Sequence, residues 1–385
     1  MQYHLTEEQA QIRDVVTAYL ADHYDHEARL RILALPERWS PEVWRGFAED
    51  LGILGLGAPE AAGGLGGGPI DHMLIMDALG GALVVEPYLE TCVIAAGVLV
   101  RSDNVLARTL LQRIVAGTVR FAFADLEPHA RLSPIPPRSR AERRGADWVL
   151  NGAKSLVAGL PGASHVLLTA HIAGAAGSAP GTALFVVAAD HPALEIRPGR
   201  SIDGRTLSGL SFADLKVTDD ACIVAADRGS EVLASTLDAA TAAVCAEAVG
   251  LMRRLVTDTL AYLEQRKQFG AYLAEFQVLQ HRLADMQTDY EEAQAMAYFA
   301  AGMLAAPAAR RQAAVAAAKA RVSVALRRVA QEAVQMHGAM GMTDELPIGH
   351  MFRRATVLEN QFGSIDHQIS RLVAGGSDTS GLAAG

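Results

Sequence analysis

The chain lacks most of what would mark a secreted, membrane-spanning or nucleic-acid-binding protein. Its 385 residues hold three cysteines, Cys92, Cys222 and Cys245, too widely spaced for a metal or redox motif, so they read as buried thiols in a reducing compartment. Positive charge is in deficit: 34 Lys and Arg against 43 Asp and Glu leave a net −9. That balance argues against nucleic acid or an acidic membrane surface as a partner, and any anionic ligand must be held by local basic residues. No run reaches the ~18 consecutive apolar residues of a membrane span. The first residues, MQYHLTEEQAQIRDVV, read as an amphipathic helix where a signal peptide would need a basic region and an apolar run. A soluble, cytoplasmic protein without a membrane span is expected.

What is present is apolar mass, 50% of the chain, enough for two or three domains at roughly 100 to 200 residues each. Residues 1–116 read as a helical domain, starting where Thr6 precedes Glu7 and Glu8 and apolar residues recur at helical spacing. A glycine-rich loop, Ala58 to Gly68, turns the chain before two buried helices, Ile70 to Val85 and Thr91 to Val100. Near residue 118 the period becomes alternating. Short strands at 121–124, 148–152, 165–169, 183–187 and 210–214 predict a small antiparallel barrel or sandwich over 117–228. Helical periodicity returns over 229–374, with long segments at 230–268, 274–305, 308–338 and 350–373, which predicts an antiparallel four-helix bundle. The Ala-rich third segment implies close helix approach, and 375–385 reads as a flexible tail. The fold class is α+β, mostly α.

One stretch, Asp238 to Gly270, combines two unusual features. Between Ala239 and Met252 its only ionisable side chain is Glu247, on a helix otherwise small or apolar on every face. A buried carboxylate is costly without a partner or a function. It is either a working group or a structural carboxylate paired with a buried arginine, for which Arg254, one helical repeat on, is a candidate. The stretch ends in Arg266-Lys267-Gln268-Phe269-Gly270, a basic and aromatic cluster whose glycine suits a helix C-terminus.

The order of helical domain, small β domain and four-helix bundle, with RKQFG closing the first bundle helix, resembles the acyl-CoA dehydrogenase family. Further matches are Phe276-Gln277 and His281 to Met286 on the second bundle helix, and Gln335-Met336-His337-Gly338-Ala339-Met340-Gly341 after the third. The segments GGLGGGPIDHMLIMDALG and Phe362-Gly363-Ser364 with His367 look most like the small-subunit group of pimeloyl-CoA dehydrogenase. The resemblance implies FAD held between the β domain and the bundle and reaching across a subunit interface. Arg266 would hold pyrophosphate oxygens with a geometry that lysine lacks. Gln268 and Phe269 match positions flanking the flavin nucleotide, and Gln335, Gly338 and Ala339 match a loop that contacts it from a neighbouring subunit. On the sheet side, Leu126 stands where the family's turn lines the flavin with a hydroxyl, and Ala158 lies in the stretch Lys154 to Gly159 that matches the strand commonly placing Trp and Thr on it, so backbone groups near Ala124 and Leu126 are expected to carry those contacts. The implied partners are an acyl-CoA substrate, electron-transfer flavoprotein or a similar acceptor, and further subunits in a homo- or hetero-oligomer.

The implied reaction removes an α proton from an acyl-CoA thioester and passes the β hydrogen, as hydride, to the flavin. It needs a carboxylate base in an apolar slot, where desolvation strengthens it. In most members that base lies near the end of the last bundle helix, where this chain has Phe362. A second subgroup keeps it early on the first bundle helix, where this chain has Ala240 followed by Thr241. Glu247 lies two turns beyond Ala240 on the same face and is the candidate base, ahead of Glu359 and Asp366. Two other readings stay open: a non-catalytic or half-site subunit that completes a partner's flavin site, and a flavin oxidase or monooxygenase on the same fold.

Overall fold

The computed structural model describes residues 5–128, 137–173 and 180–376. Helices come first: α1 (Glu7–His23), α2 (His26–Ala34), α3 (Pro41–Glu49), α4 (Pro69–Gly81), α5 (Ala96–Leu99) and α6 (Val105–Val115). Strands follow: β1 (Phe121–Ala124), β2 (Arg140–Arg144), β3 (Asp147–Ala158), β4 (His165–Ile172), β5 (Gly181–Ala188), β6 (Leu194–Arg197), β7 (Leu207–Val217) and β8 (Cys222–Val224). The last part holds α7 (Ala226–Gln265), the short strands β9 (Lys267–Gln268) and β10 (Ala271–Tyr272), then α8 (Gln277–Gly302), α9 (Ala308–His337), α10 (Pro347–Asn360) and α11 (Ile365–Gly376). The start of α1 follows the sequence reading: Thr6 and Gln9 satisfy each other's backbone N–H groups in a capping box.

The sheet differs from the expected one in size and sense. Its order is β6-β7-β3-β2-β4-β5-β8, with β1 added beside β4. Two pairings, β1 with β4 and β2 with β4, are parallel; the rest are antiparallel, so the sheet is mixed. Strand β2 reads RAERR and β6 reads LEIR, charged strands with too few apolar residues to signal their presence. The apolar face of the sheet buries Leu150, Leu168, Phe185, Leu210 and Phe212 in one core cluster.

The packing groups the chain into two units. One comprises 1–29, 69–84 and 241–385; the other comprises 30–68 and 85–240. The N-terminal helical region is thus shared between them. In the first unit α1 and α4 pack with the bundle. Here Ala242 of α7, Ala300 of α8 and Val315 and Ala318 of α9 form one buried cluster, the close approach that the alanines imply.

The fourth bundle helix is broken. Helix α10 stops at Asn360 and α11 begins at Ile365, because Phe362 (φ 57°) and Gly363 (φ 114°) leave the right-handed helical region. The turn is tied from both sides. Buried Lys319 donates from Nζ to the carbonyl oxygens of Leu358 (2.8 Å) and Glu359 (2.9 Å) and to Ser323 Oγ (2.9 Å). Gln368 donates from Nε2 to the Phe362 carbonyl (2.8 Å). Helix α11 runs through Gly375 and Gly376; the remainder of the expected tail lies outside the described residues.

The three cysteines are free, Cys92 and Cys245 buried and Cys222 half-buried. Burial pushes the Cys245 thiol up to about 12. One described helix, α7, is long and apolar enough to cross a membrane, and 72% of its most apolar window is buried inside the protein, as in a core helix.

Candidate active site

At the far end of α7 the expected helix C-terminus is instead a hairpin. The helix ends at Gln265, and Lys267 pairs with Tyr272 and Gln268 with Ala271. Phe269 (φ 56°) and Gly270 (φ 82°) form the tip, the left-handed pair that a tight two-residue hairpin requires. Glycine takes this conformation freely; phenylalanine does so at a cost. The Phe269 ring is 92% exposed and stands edge-on to Phe276 (centroids 6.3 Å, 90°). Arg266 and Gln268 are also exposed.

Helix α9 brings the second motif to the same end of the bundle. The His337 ring stacks on Tyr262 of α7 (4.3 Å, 26°), and Arg282 near the start of α8 pairs with Glu332 near the end of α9 (2.6 Å). Gln335, Gly338 and Ala339 are exposed there. Gly338 adopts φ 61°, ψ −140°, a backbone open essentially to glycine alone. Residues 266–269 and 335–339 therefore gather at one end of the bundle within a single chain. Charged and amide side chains, an uncovered aromatic ring and a glycine backbone make a donor set that fits the phosphate and nucleotide portions of FAD.

The sheet-side residues are placed by a buried polar network that the sequence reading does not anticipate. Leu126 is half-buried, and its carbonyl accepts from the Ser155 N–H (2.8 Å). The Lys154 side chain is fully buried and donates from Nζ to the Asp125 carbonyl (3.2 Å), Glu127 Oε1 (3.0 Å) and Thr169 Oγ1 (3.0 Å). Thr169 in turn donates to Asp125 Oδ1 (3.0 Å). The Ser139 and Arg138 amides donate to Glu127 (2.8 and 2.7 Å). Burial lowers the Lys154 pKa against the pull of Glu127 and raises that of Asp125 against Lys154. For Glu127 burial is outweighed by the amides and Lys154, and its pKa falls. Between Lys154 and Val157 strand β3 shifts register, with Leu156 at φ 55° and 59% exposed; the ladder resumes at Val157 opposite Ser208, followed by half-buried Ala158 opposite Leu207. The turn that carries Leu126 is fixed from beneath. Lys154 and Glu127 lie 27 residues apart, and nothing local shows that they meet.

Glu247 is 3% exposed. Its neighbourhood is set by two glycines at the crossing of α4 and α7, since a β-carbon on Gly80 would collide with the Glu247 carbonyl and one on Gly250 with the Asp77 carbonyl. Its partner is Arg354 of α10, 3% exposed, which donates from Nε to Oε1 (2.7 Å) and from a terminal nitrogen to Oε2 (2.8 Å). The expected alternative partner, Arg254, instead pairs with Asp258 (2.7 Å). So Glu247 is not a lone carboxylate: it sits in a two-point fork, the arrangement weighed against the catalytic reading. Of the other carboxylates considered, Glu359 pairs with Arg327 (2.8 Å) and Asp366 is exposed. Ala240 and Thr241 are buried, and Phe362 is half-buried.

A cavity of about 520 Å³ lies among α1, α4, α7 and α8, helices whose common packing no sequence pattern announces. Ala246, Val249 and Arg253 contribute one face of α7 to it, beside Arg13, Asp77 and Tyr290.

Comparison with known proteins agrees with this architecture. Residues 6–118 match the acyl-CoA dehydrogenase N-terminal domain and residues 227–376 the acyl-CoA dehydrogenase C-terminal domain. Isovaleryl-CoA dehydrogenase from Pongo abelii is 28% identical over 96% of this chain and 88% of its own. The 3-sulfinopropanoyl-CoA desulfinase of Paraburkholderia xenovorans is 30% identical over 79% of each chain. Among solved structures, the ChsE4-ChsE5 complex from Mycobacterium tuberculosis superposes with a TM-score of 0.88 at 26% identity, over 98% of this chain and 99% of that one. The chain is a flavoprotein oxidoreductase that uses FAD and belongs to the acyl-CoA dehydrogenase family.

Proposed function

We propose that the chain desaturates an acyl-CoA thioester between its α and β carbons, with Glu247 as the group that takes the α proton. The observation that carries this reading is a buried carboxylate on α7 in a chain whose two usual base positions hold Ala240 and Phe362. Arg354 fixes where the Glu247 carboxylate points, and an oriented carboxylate remains chemically able to take up a proton at an oxygen. Bound FAD supplies the hydride acceptor. Arg266, Gln268 and Phe269 at the hairpin are proposed to contact it, and Leu126 and Ala158 are proposed as flavin contacts of the other unit. Gln335, Gly338 and Ala339 would serve that flavin or the one in an adjoining subunit. The strained backbones at Phe269 and Leu156, two of the six non-glycine residues at positive φ among those described, fall on or beside these segments, as strain at working sites does. Electrons would leave to electron-transfer flavoprotein or a similar acceptor.

The fork itself favours a second reading, in which Glu247 only completes a buried ion pair. Two variants separate them. Glu247→Gln leaves the buried Arg354 without its counter-charge, a loss of about 3–5 kcal/mol in stability, and as base loss it should cut acyl-CoA bleaching of the flavin by about 10²–10⁴-fold. The double variant Glu247→Gln/Arg354→Met removes both charges and should recover most of the stability. If bleaching stays lost in the recovered protein, Glu247 is the base; if bleaching returns with stability, the carboxylate is structural and the proposal for it fails.

A further inference from the structure

The cavity among α1, α4, α7 and α8 is lined by none of the residues assigned to the reaction above, yet it is built like a ligand site. Its volume of about 520 Å³ falls within the roughly 300–1,000 Å³ of small-molecule pockets. Met73, Leu74, Ala246, Val249 and Ala297 give it an apolar wall. Against that wall stand two guanidiniums with donors to spare. Arg253 donates to Asp77 Oδ1 (2.7 Å), and Arg13 to Asp14 Oδ1 (2.8 Å). Among the described residues neither guanidinium has another hydrogen-bond partner, although each carries five N–H donors. The Tyr290 hydroxyl accepts from Gln294 Nε2 (2.8 Å), which leaves its own proton to be donated.

We propose that this cavity binds a carboxylate carried at the end of an apolar chain, the carboxylate held by Arg253 and Arg13 and the chain lying along Ala246 and Val249 of α7. An amine would find the two carboxylates of the cavity, Asp14 and Asp77, already paired to the guanidiniums it would have to displace. An alcohol would leave most of their donors unused. The Arg13–Asp14 pair is open to solvent, with side chains 45% and 67% exposed, so a ligand displaces Asp14 at little cost. Arg253 gives Asp77 a single contact and can share the fork with a second carboxylate. The groups that face Asp77 are Arg253 on α7, Arg13 and Asp14 on α1, and Tyr290 and Tyr298 on α8. Burial raises the Asp77 pKa, and Arg253 and Arg13 only partly offset it. A second negative charge beside it raises it further, so binding takes up a proton and strengthens as pH falls towards the Asp77 titration.

The carboxylate has two sources to distinguish: the far end of an acyl-CoA whose acyl chain bears a second carboxyl group, which rests on the acyl-CoA reading, or a free fatty acid, which does not. Calorimetry on the FAD-loaded protein with octanoate, and with octanol as its neutral counterpart, tests the site without turnover. Octanoate should bind saturably and about tenfold or more tighter than octanol, with proton uptake visible as a buffer-dependent heat. Arg253→Met and Arg13→Met should each weaken octanoate about tenfold and leave octanol unchanged. Because Arg253→Met takes away the partner of Asp77 and can unsettle the fold, Asp77→Asn serves as a second variant: it should tighten octanoate and abolish the proton uptake. Absence of saturable octanoate binding, equal binding of octanol, or octanoate affinity unmoved by the arginine variants each overturns the site. Once octanoate binding is established, kcat/KM for octanedioyl-CoA against octanoyl-CoA identifies the source. A preference for the carboxyl-ended thioester that disappears in Arg253→Met assigns the site to substrate; its absence assigns it to the free acid.

Discussion

Lys154 has more consequence than its place in the sequence suggests. A fully buried ammonium with three oxygen partners is tolerable only because Glu127 neutralises it and Asp125 and Thr169 complete its shell. The same network holds the turn whose Leu126 belongs to the proposed flavin site. Lys154→Met should cost about 3 kcal/mol or more by leaving Glu127 without its counter-charge, and the purified protein should retain less FAD per chain, read as the ratio of flavin to protein absorbance. Lys154→Met/Glu127→Gln should regain stability. If FAD retention in either variant matches the original protein, the network supports the sheet and not the cofactor.

At the scale of elements, what is legible in the sequence follows from periodicity, and what is not depends on partners distant along the chain. The bundle helices are readable because their apolar positions recur; the break between α10 and α11 is not, because it is made by a phenylalanine at φ 57°, tied down by Lys319 and Gln368 from other helices. Strand β2 escapes sequence reading because RAERR lacks alternation and β6 because LEIR alternates over only four residues, and the parallel pairing of β1 with β4 cannot be read from either strand. The enclosure of Glu247 shows in its small, apolar neighbours, but its partner on α10 is 107 residues away. The α4–α7 crossing that sets its position leaves only two glycines inside helical segments as its trace. Gly250→Ala tests that crossing. The substitution adds ~1 kcal/mol of helix propensity, yet its β-carbon would collide with the Asp77 carbonyl, and overpacking of this kind costs about 1–3 kcal/mol. A net loss in unfolding free energy is expected. Gly302, at the end of α8, is the control, because a β-carbon there would meet nothing within 4 Å. Gly302→Ala should be neutral or slightly stabilising, and a matching loss at both sites would mean that the crossing is not tight.

At the scale of the whole molecule, the family is legible because three motifs recur in order over nearly the whole chain, whereas the grouping of α1 and α4 with the bundle is not, since helical periodicity says nothing about which helices share a core. The same scale bears on assembly. Helix α7 ends where α8 begins, and α9 returns to that end, so the exposed apolar residues Phe269 (92%), Val278 (64%) and Met342 (69%) are carried by segments that converge there. Scattered apolar side chains on a surface need no explanation, but a bare aromatic ring at the tip of a strained hairpin does. The reading that this end meets FAD and an adjoining subunit gives Phe269 both a cover and a reason for its backbone. Phe269→Asp would then place a charge in that contact: light scattering should show a lower mass than the original protein at equal concentration, and FAD should be lost with the assembly, while the unfolding free energy of the dissociated chain stays within about 0.5 kcal/mol, as for a surface change. An unchanged mass with full FAD content would show that Phe269 faces solvent in the working protein.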